Sequence, residues 1–402
     1  MKNFISWVTV TLRKAFVAIL GQGLAFVALL CPVIFGNHAV LPEIVFFSSV
    51  ATLFSPIVTL GVPQMVPTLD NPKEKLKLAW QALALMFFFG LIIFFIAIFI
   101  DAAKSFNFLA LILLLFGQGC YSTQVAFAVR YEHYKAVARA RLVLGITSLA
   151  GALFAAAISG SASAYLIAGA FAQLAAAFSF GMPKLVWETR DYSLRAFKTN
   201  ANRHLGQNFK LFLTVIVSTA VSQVPGFISA TFVEGRTLFA LAIRVSSGFE
   251  TMAGNVLGPL FDGFIASNVR ANLASDLRSS IKKTKKFSLL LMSLAALLYV
   301  GIVLGFSLIS FESDIQRATF LAGIGLILSS TYFASIGRVF YLVRRVSVKL
   351  MVEMSRGLML AATLLVPFAG ARVCAAGVIF LLSLGAVEYA LRWSLRSYSP
   401  TP

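Results

Sequence analysis

The chain has 402 residues, of which 59% are hydrophobic and 12% charged. Its mean hydropathy of +0.87 excludes disorder and a water-soluble domain, and leaves lipid as the solvent for most of it. The 34 Lys+Arg against 15 Asp+Glu give a formal net charge of +19, which in a membrane chain reads first as basic residues held in cytoplasmic loops; the basic stretches carry no aromatic signature of nucleic-acid binding.

Runs of about 20 apolar residues, the length that crosses about 30 Å of hydrocarbon, recur along the chain. Twelve are read: 15–35, 44–66, 78–100, 108–128, 142–159, 164–182, 211–232, 238–258, 287–309, 318–337, 350–370 and 374–391. The third is the clearest, since Ala82 to Ile100 contains no polar side chain. The fifth and sixth are rich in Ala, Gly and Ser and are joined near Ser161. The N-terminal segment is charged and broken, with no small-residue cleavage site, so no removable signal is read there.

Charge placement tests this count. With the N-terminus cytoplasmic, Lys104, Arg236, Arg317 and Arg372 fall in outer loops and Arg244 and Arg356 within spans. The other 28 of the 34 basic residues fall on the cytoplasmic side, an asymmetry that a wrong helix count would scramble. The expected fold is therefore an all-α polytopic membrane protein with twelve transmembrane helices and both ends cytoplasmic.

Two longer cytoplasmic segments follow spans six and eight. In the second, Ile265, Val269, Leu273, Leu277 and Ile281 recur every fourth residue, which predicts an amphipathic helix on the cytoplasmic surface. The first separates two halves of six spans, giving an N-terminal bundle over 1–182, a linker over 183–210 and a C-terminal bundle over 211–402. Arg130 and Arg141 at the joint of spans four and five match Arg345 and Arg356 at the joint of spans ten and eleven, both at an offset of 215. Two six-helix bundles that start on the same side form a parallel pseudo-repeat, a design in which substrate binds between halves that rock about the site.

An arginine at a helix centre costs about 2.5–3.5 kcal/mol on insertion scales, so each marks a candidate site. Arg356 lies two turns inside span eleven with Glu353 on the same face, Arg141 is its counterpart at the mouth of span five, and Arg244 lies in span eight. These cations would neutralise an anionic substrate; the alternative is that each snorkels to an interface or pairs locally. Glu250 and Glu353 are candidates for ion coupling, with helix packing the alternative for Glu250. Arg244 and Glu250 are six residues apart and poorly placed to pair. Glu388 is read as interfacial. Among the amides, Gln22, Gln118 and Gln223 are candidates for substrate contact, against the commoner role of helix-to-helix hydrogen bonding. Two of these, Gln22 and Gln118, sit in Gly-Gln-Gly triplets. Pro56, Pro63 and Pro225 should bend spans two and seven.

Cys31, Cys120 and Cys374 match no metal or disulfide pattern, and His38, His133 and His204 are read in polar loops. No phosphate-binding Gly-Lys-Ser/Thr loop is present, so ATP is not the expected fuel and no cofactor is expected.

The spans, the paired halves, the intramembrane arginines, the stretch Leu20-Gly21-Gln22-Gly23-Leu24-Ala25-Phe26 and the stretch Ala138-Arg139-Ala140-Arg141-Leu142-Val143-Leu144-Gly145 together resemble the Wzx-type polysaccharide flippases. These belong to a superfamily with the multidrug (MATE) exporters and the lipid II flippases. The resemblance implies a V-shaped transporter with a central cavity in a bacterial inner membrane. It implies an undecaprenyl-pyrophosphate-linked oligosaccharide as substrate, moved from the cytoplasmic to the periplasmic leaflet for O-antigen or another surface polysaccharide. Protons or sodium would be the coupling ion, and membrane lipids and the polysaccharide polymerase machinery the partners. Span one lacks the acidic residue common in multidrug exporters, and twelve spans are fewer than the fourteen usual for lipid II flippases. A multidrug exporter of the MATE type and a membrane polysaccharide polymerase are the alternative readings; the second lacks the large outer loop or intramembrane His/Asp site such enzymes use.

Overall fold

The computed structural model describes residues 2–65, 72–98, 102–131, 133–180, 194–231, 235–253, 274–309, 313–342, 346–366 and 369–396. Among these residues thirteen α-helices run in chain order: α1 (Lys2–Ile34), α2 (Leu41–Val58), α3 (Val62–Met65), α4 (Pro72–Ile98), α5 (Ala102–Arg130), α6 (Tyr134–Ile158), α7 (Ala162–Phe178), α8 (Leu194–Thr231), α9 (Arg236–Thr251), α10 (Ala274–Gly305), α11 (Asp314–Leu342), α12 (Val346–Ala362) and α13 (Ala369–Arg396). No strand occurs among the described residues. In lipid a helix satisfies its own backbone, which is why so apolar a chain resolves into helices.

Among the described residues, nine helices contain segments long and apolar enough to cross a membrane. Three of the twelve expected spans fall on shorter helices: α7 with 17 residues, α9 with 16 and α12 with 17. The molecule is an all-helical, multi-pass membrane protein. Its outward surface is apolar, as lipid requires: Phe88, Phe89, Ile93 and Phe95 on α4 are exposed, as are Leu297, Leu321, Leu358 and Leu382 on later helices.

Local chemistry explains the ends. The α6–α7 turn uses Gly160 at φ +59°, a left-handed conformation that favours glycine, with its N–H bonded to Ala155 O at 2.8 Å. Ser161 then caps α7 by accepting from Ala164 N. The two helices pack closely because their facing residues are small: a side chain on Gly151 would stand 3.0 Å from Ala168 Cβ. Span two does not continue to residue 66 as expected. Pro56 lies in the last turn of α2, Leu60 and Gly61 follow with positive φ, and α3 restarts with Pro63 near its beginning.

Two compact units divide the chain: Leu20–Gln223, and Val224–Pro402 together with Met1–Ile19. The expected boundary was the 183–210 linker. Instead α8 runs from Leu194 to Thr231, bent at Asn208 (φ −121°, ψ 15°), and the division falls within it, beside Pro225. The helix persists because His204, read as a loop residue, is fully buried in the N-terminal unit, and its Nε2 lies 3.3 Å from Leu60 O. His38 stands in a 3-10 turn, and His133 occupies the N-cap position of α6 with no capping hydrogen bond from its side chain.

Helix pairing repeats between the units. In the N-terminal unit α5 packs on α7, α4 and α2, and α6 packs on α7. In the C-terminal unit α11 packs on α13, α10 and α9, and α12 packs on α13. The fourth span is the hub of the first unit and the tenth the hub of the second, the equivalence that the offset of 215 between the arginine pairs demands.

The expected surface helix over 259–286 is revised in its second part. Residues 265, 269 and 273 lie outside the described residues. Ile281, on α10, is buried in a core with Tyr332, Phe340 and Val387. The segment from Ala274 is thus a continuation of the helix that carries span nine.

Candidate functional site

In the C-terminal unit, α12 carries Lys349, Glu353 and Arg356 on one face, at helical spacings of four and three. All three are buried, an expensive arrangement in a membrane helix unless it is paired or used. Lys349 Nζ lies 3.3 Å from Glu353 Oε1. One terminal nitrogen of Arg356 donates to Ser330 Oγ on α11 at 3.2 Å, and its buried Nε has no hydrogen-bond partner among the described residues. The Phe333 ring, also on α11, receives both cations, with Arg356 Cζ 5.7 Å and Lys349 Nζ 5.9 Å from its centroid. A second carboxylate acts on Arg356 from α9: Glu250, whose Oε1 accepts from Ser246 Oγ at 2.7 Å. Two cations, two carboxylates and one aromatic ring therefore share the interior of this unit.

Arg244, the other intramembrane arginine, sits on α9 with its Nε buried and unbonded. Among the described residues it forms no ion pair, with Glu250 or with any other group.

In the N-terminal unit, Arg141 on α6 is buried and acts electrostatically on Tyr121 of α5. Its backbone abuts α1, since a side chain at Gly21 would stand 2.4 Å from Arg141 O and one at Gly145 would stand 2.1 Å from Gly21 O. The two short stretches on which the flippase resemblance rests thus pack against each other through paired glycines. Among the described residues, buried Gln22, beside Gly21, has no partner for its Oε1, and the buried Tyr121 hydroxyl has none either.

The other expected amides differ from Gln22. Gln118 donates to Thr52 Oγ1 on α2 at 3.2 Å, tying α5 to α2, and its flanking glycines admit Ala170 and Leu83 from α7 and α4. Gln223 donates to Ser222 on its own helix. Sequence reasoning missed Ser330 and Phe333, which look like ordinary span residues, and left Lys349 among the loop charges. Their signal was the four-residue spacing from Lys349 to Glu353. Glu388, read as interfacial, gathers Lys285 Nζ at 2.7 Å, Tyr332 Oη at 2.7 Å and Arg392 Nε at 2.8 Å, and ties α10, α11 and α13 together.

No family model and no curated protein matches the chain. Solved structures do. A crystal structure of a mutant of the Vibrio cholerae MATE transporter VcmN matches with a TM-score of 0.59 at 13% identity, covering 100% of this chain and 99% of that one. The eukaryotic MATE transporter AtDTX14 matches with a TM-score of 0.56 at 12% identity, over 98% and 99%. The fold is that of the MATE transporters. The lipid II flippase MurJ in an inward closed conformation also matches, with a TM-score of 0.50 at 12% identity over 98% of this chain and 88% of that one. A MATE-type transporter fold spans the whole chain, and such folds leave specificity to the residues inside them.

Proposed function

We propose that the protein is a flippase that moves an undecaprenyl-pyrophosphate-linked oligosaccharide from the cytoplasmic to the periplasmic leaflet of a bacterial inner membrane, for O-antigen or another surface polysaccharide, by ion-coupled alternating access. The carrying observation is Arg356, a guanidinium on α12 that is buried and whose Nε–H has no acceptor among the described residues. A buried donor without an acceptor is costly, and the cost is offset if an anionic group binds there for part of the cycle. A pyrophosphate needs such cationic hosts in hydrocarbon, while its lipid tail stays in the bilayer. Arg141 in the equivalent helix of the first unit, Arg244, and the amides Gln22, Gln118 and Gln223 extend the set that would meet phosphate or sugar hydroxyls. Glu250, electrostatically linked to Arg356, is the proposed coupling group, with Glu353 beside it.

Lipid extracts of a deletion strain should accumulate polyprenyl-linked oligosaccharide; normal lipid pools would reject the function. Glu250→Gln should make transport less sensitive to collapse of the proton gradient, and an unchanged response would remove Glu250 from coupling. The second reading, a MATE-type multidrug exporter, is favoured by the similarity of the solved neighbours, and drug sensitivity of the same strain with unchanged glycolipids would select it.

A further inference from the structure

Resting on the flippase reading, the geometry points to Glu353 as a built-in counter-anion that occupies the seat of the substrate's anionic group and competes with it for Lys349 and Arg356. Four observations carry this. Glu353 lies between the two cations on one helix face, four residues after Lys349 and three before Arg356, with one of its oxygens 3.3 Å from Lys349 Nζ. Both cations lie near the same Phe333 ring, at 5.9 and 5.7 Å from its centroid, and Glu353 acts electrostatically on Arg356 as well as pairing with Lys349. Arg356 has spent one terminal N–H on Ser330 and has a buried Nε–H with no acceptor, which leaves its fork able to take an oxyanion. Glu353 is itself buried, so its charge has no water to fall back on when an incoming anion takes its cations.

A carboxylate and a phosphate oxygen are equivalent acceptors for a guanidinium fork and an ammonium. An anion that enters displaces Glu353, and the displaced carboxylate then repels it. Binding is thereby weakened and release hastened, which is what a carrier needs, since a site that holds its cargo too tightly in one state does not turn over. Glu353 sets the residence time of the cargo. In contrast to a coupling ion site, this role needs the negative charge and no bound cation.

The test uses the full-length protein in lipid nanodiscs with inorganic pyrophosphate as the probe, followed by calorimetry. Glu353→Gln, nearly isosteric, should bind pyrophosphate tighter by about tenfold or more, the ordinary scale of coupling between two ligands. It should also transport more slowly, with substrate lipid retained on the purified protein. Glu353→Asp, which keeps the charge, should stay near the natural protein, so tightening in Gln alone separates charge from packing. Arg356→Gln should lose binding. If Glu353→Gln binds no tighter while Arg356→Gln still loses binding, the competing-carboxylate role is overturned and the flippase reading stands. If Arg356→Gln binds as the natural protein does, or if no variant binds the probe, the site itself is overturned, and the inference with it.

Discussion

The two units use one helix plan for different electrostatic ends. In each, one hub helix packs on three neighbours, α5 in one and α11 in the other, and the next helix carries a buried arginine, Arg141 on α6 and Arg356 on α12. Around Arg141 the expected spans contain no Asp or Glu, and the neighbouring polar groups are Tyr121 and Gln22. Around Arg356 there are two carboxylates, a second cation and an aromatic ring. Glu250, Glu353 and Glu388, the acidic residues within expected spans, all lie in the second half. On the proposed function, the same architecture gives a unit suited to hydrogen-bonding a ligand and a unit suited to moving charge. Fold fixes where a side chain can stand, and the residue placed there fixes what it does.

The largest expected effect comes from breaking the second pattern. Arg356→Ala should abolish surface polysaccharide while leaving the protein in the membrane, whereas Arg141→Ala should reduce it only in part. Equal losses, measured by polysaccharide staining against membrane protein level, would remove the asymmetry. Next is the packing that holds the first pattern. Gly145→Leu drives a side chain into the Gly21 carbonyl, 2.1 Å from where its Cβ would stand, while Gly23→Leu meets nothing within 4 Å. Overpacking of this kind costs about 1–3 kcal/mol or more, so the first variant should melt lower in detergent and the second should not.

The smallest effect sharpens the comparison where α8 meets the α2–α3 turn of the N-terminal unit. Burial holds His204 below its ordinary pKa, and the nearby Lys75 adds to this against the opposing hydrogen bond with Leu60. A histidine whose folded pKa is lowered binds fewer protons folded than unfolded. Its penalty is therefore absent at high pH and grows as pH falls through the ordinary value of about 6.5. Melting of the natural protein should drop below that pH, and His204→Gln should flatten the slope. A slope that survives the substitution would assign it to other groups.

Much of this was legible before any coordinates. Ala82–Ile100 had to be a lipid-facing span because nothing in it can be satisfied by water, and α4 bears this out with its exposed phenylalanines. Arg356 stood out because a cation in hydrocarbon is costly whatever surrounds it. Hydropathy could not tell that residues 194–210 continue as helix, since a polar helix that buries only Ala201 and His204 among its described side chains has the same composition as a loop.

The sequence by itself determined the class of solvent, the positions of the spans and the cost of each intramembrane charge, because those depend on a residue's own chemistry and its distance along the chain. Only the tertiary structure decided that Gly21 meets Gly145, that Gln118 is spent on Thr52 while Gln22 keeps a free oxygen, and that Ser330 and Phe333 on α11 complete the site around Arg356. Those pairings join residues tens of positions apart, and what selects among them is how closely two helices approach, which no single segment encodes.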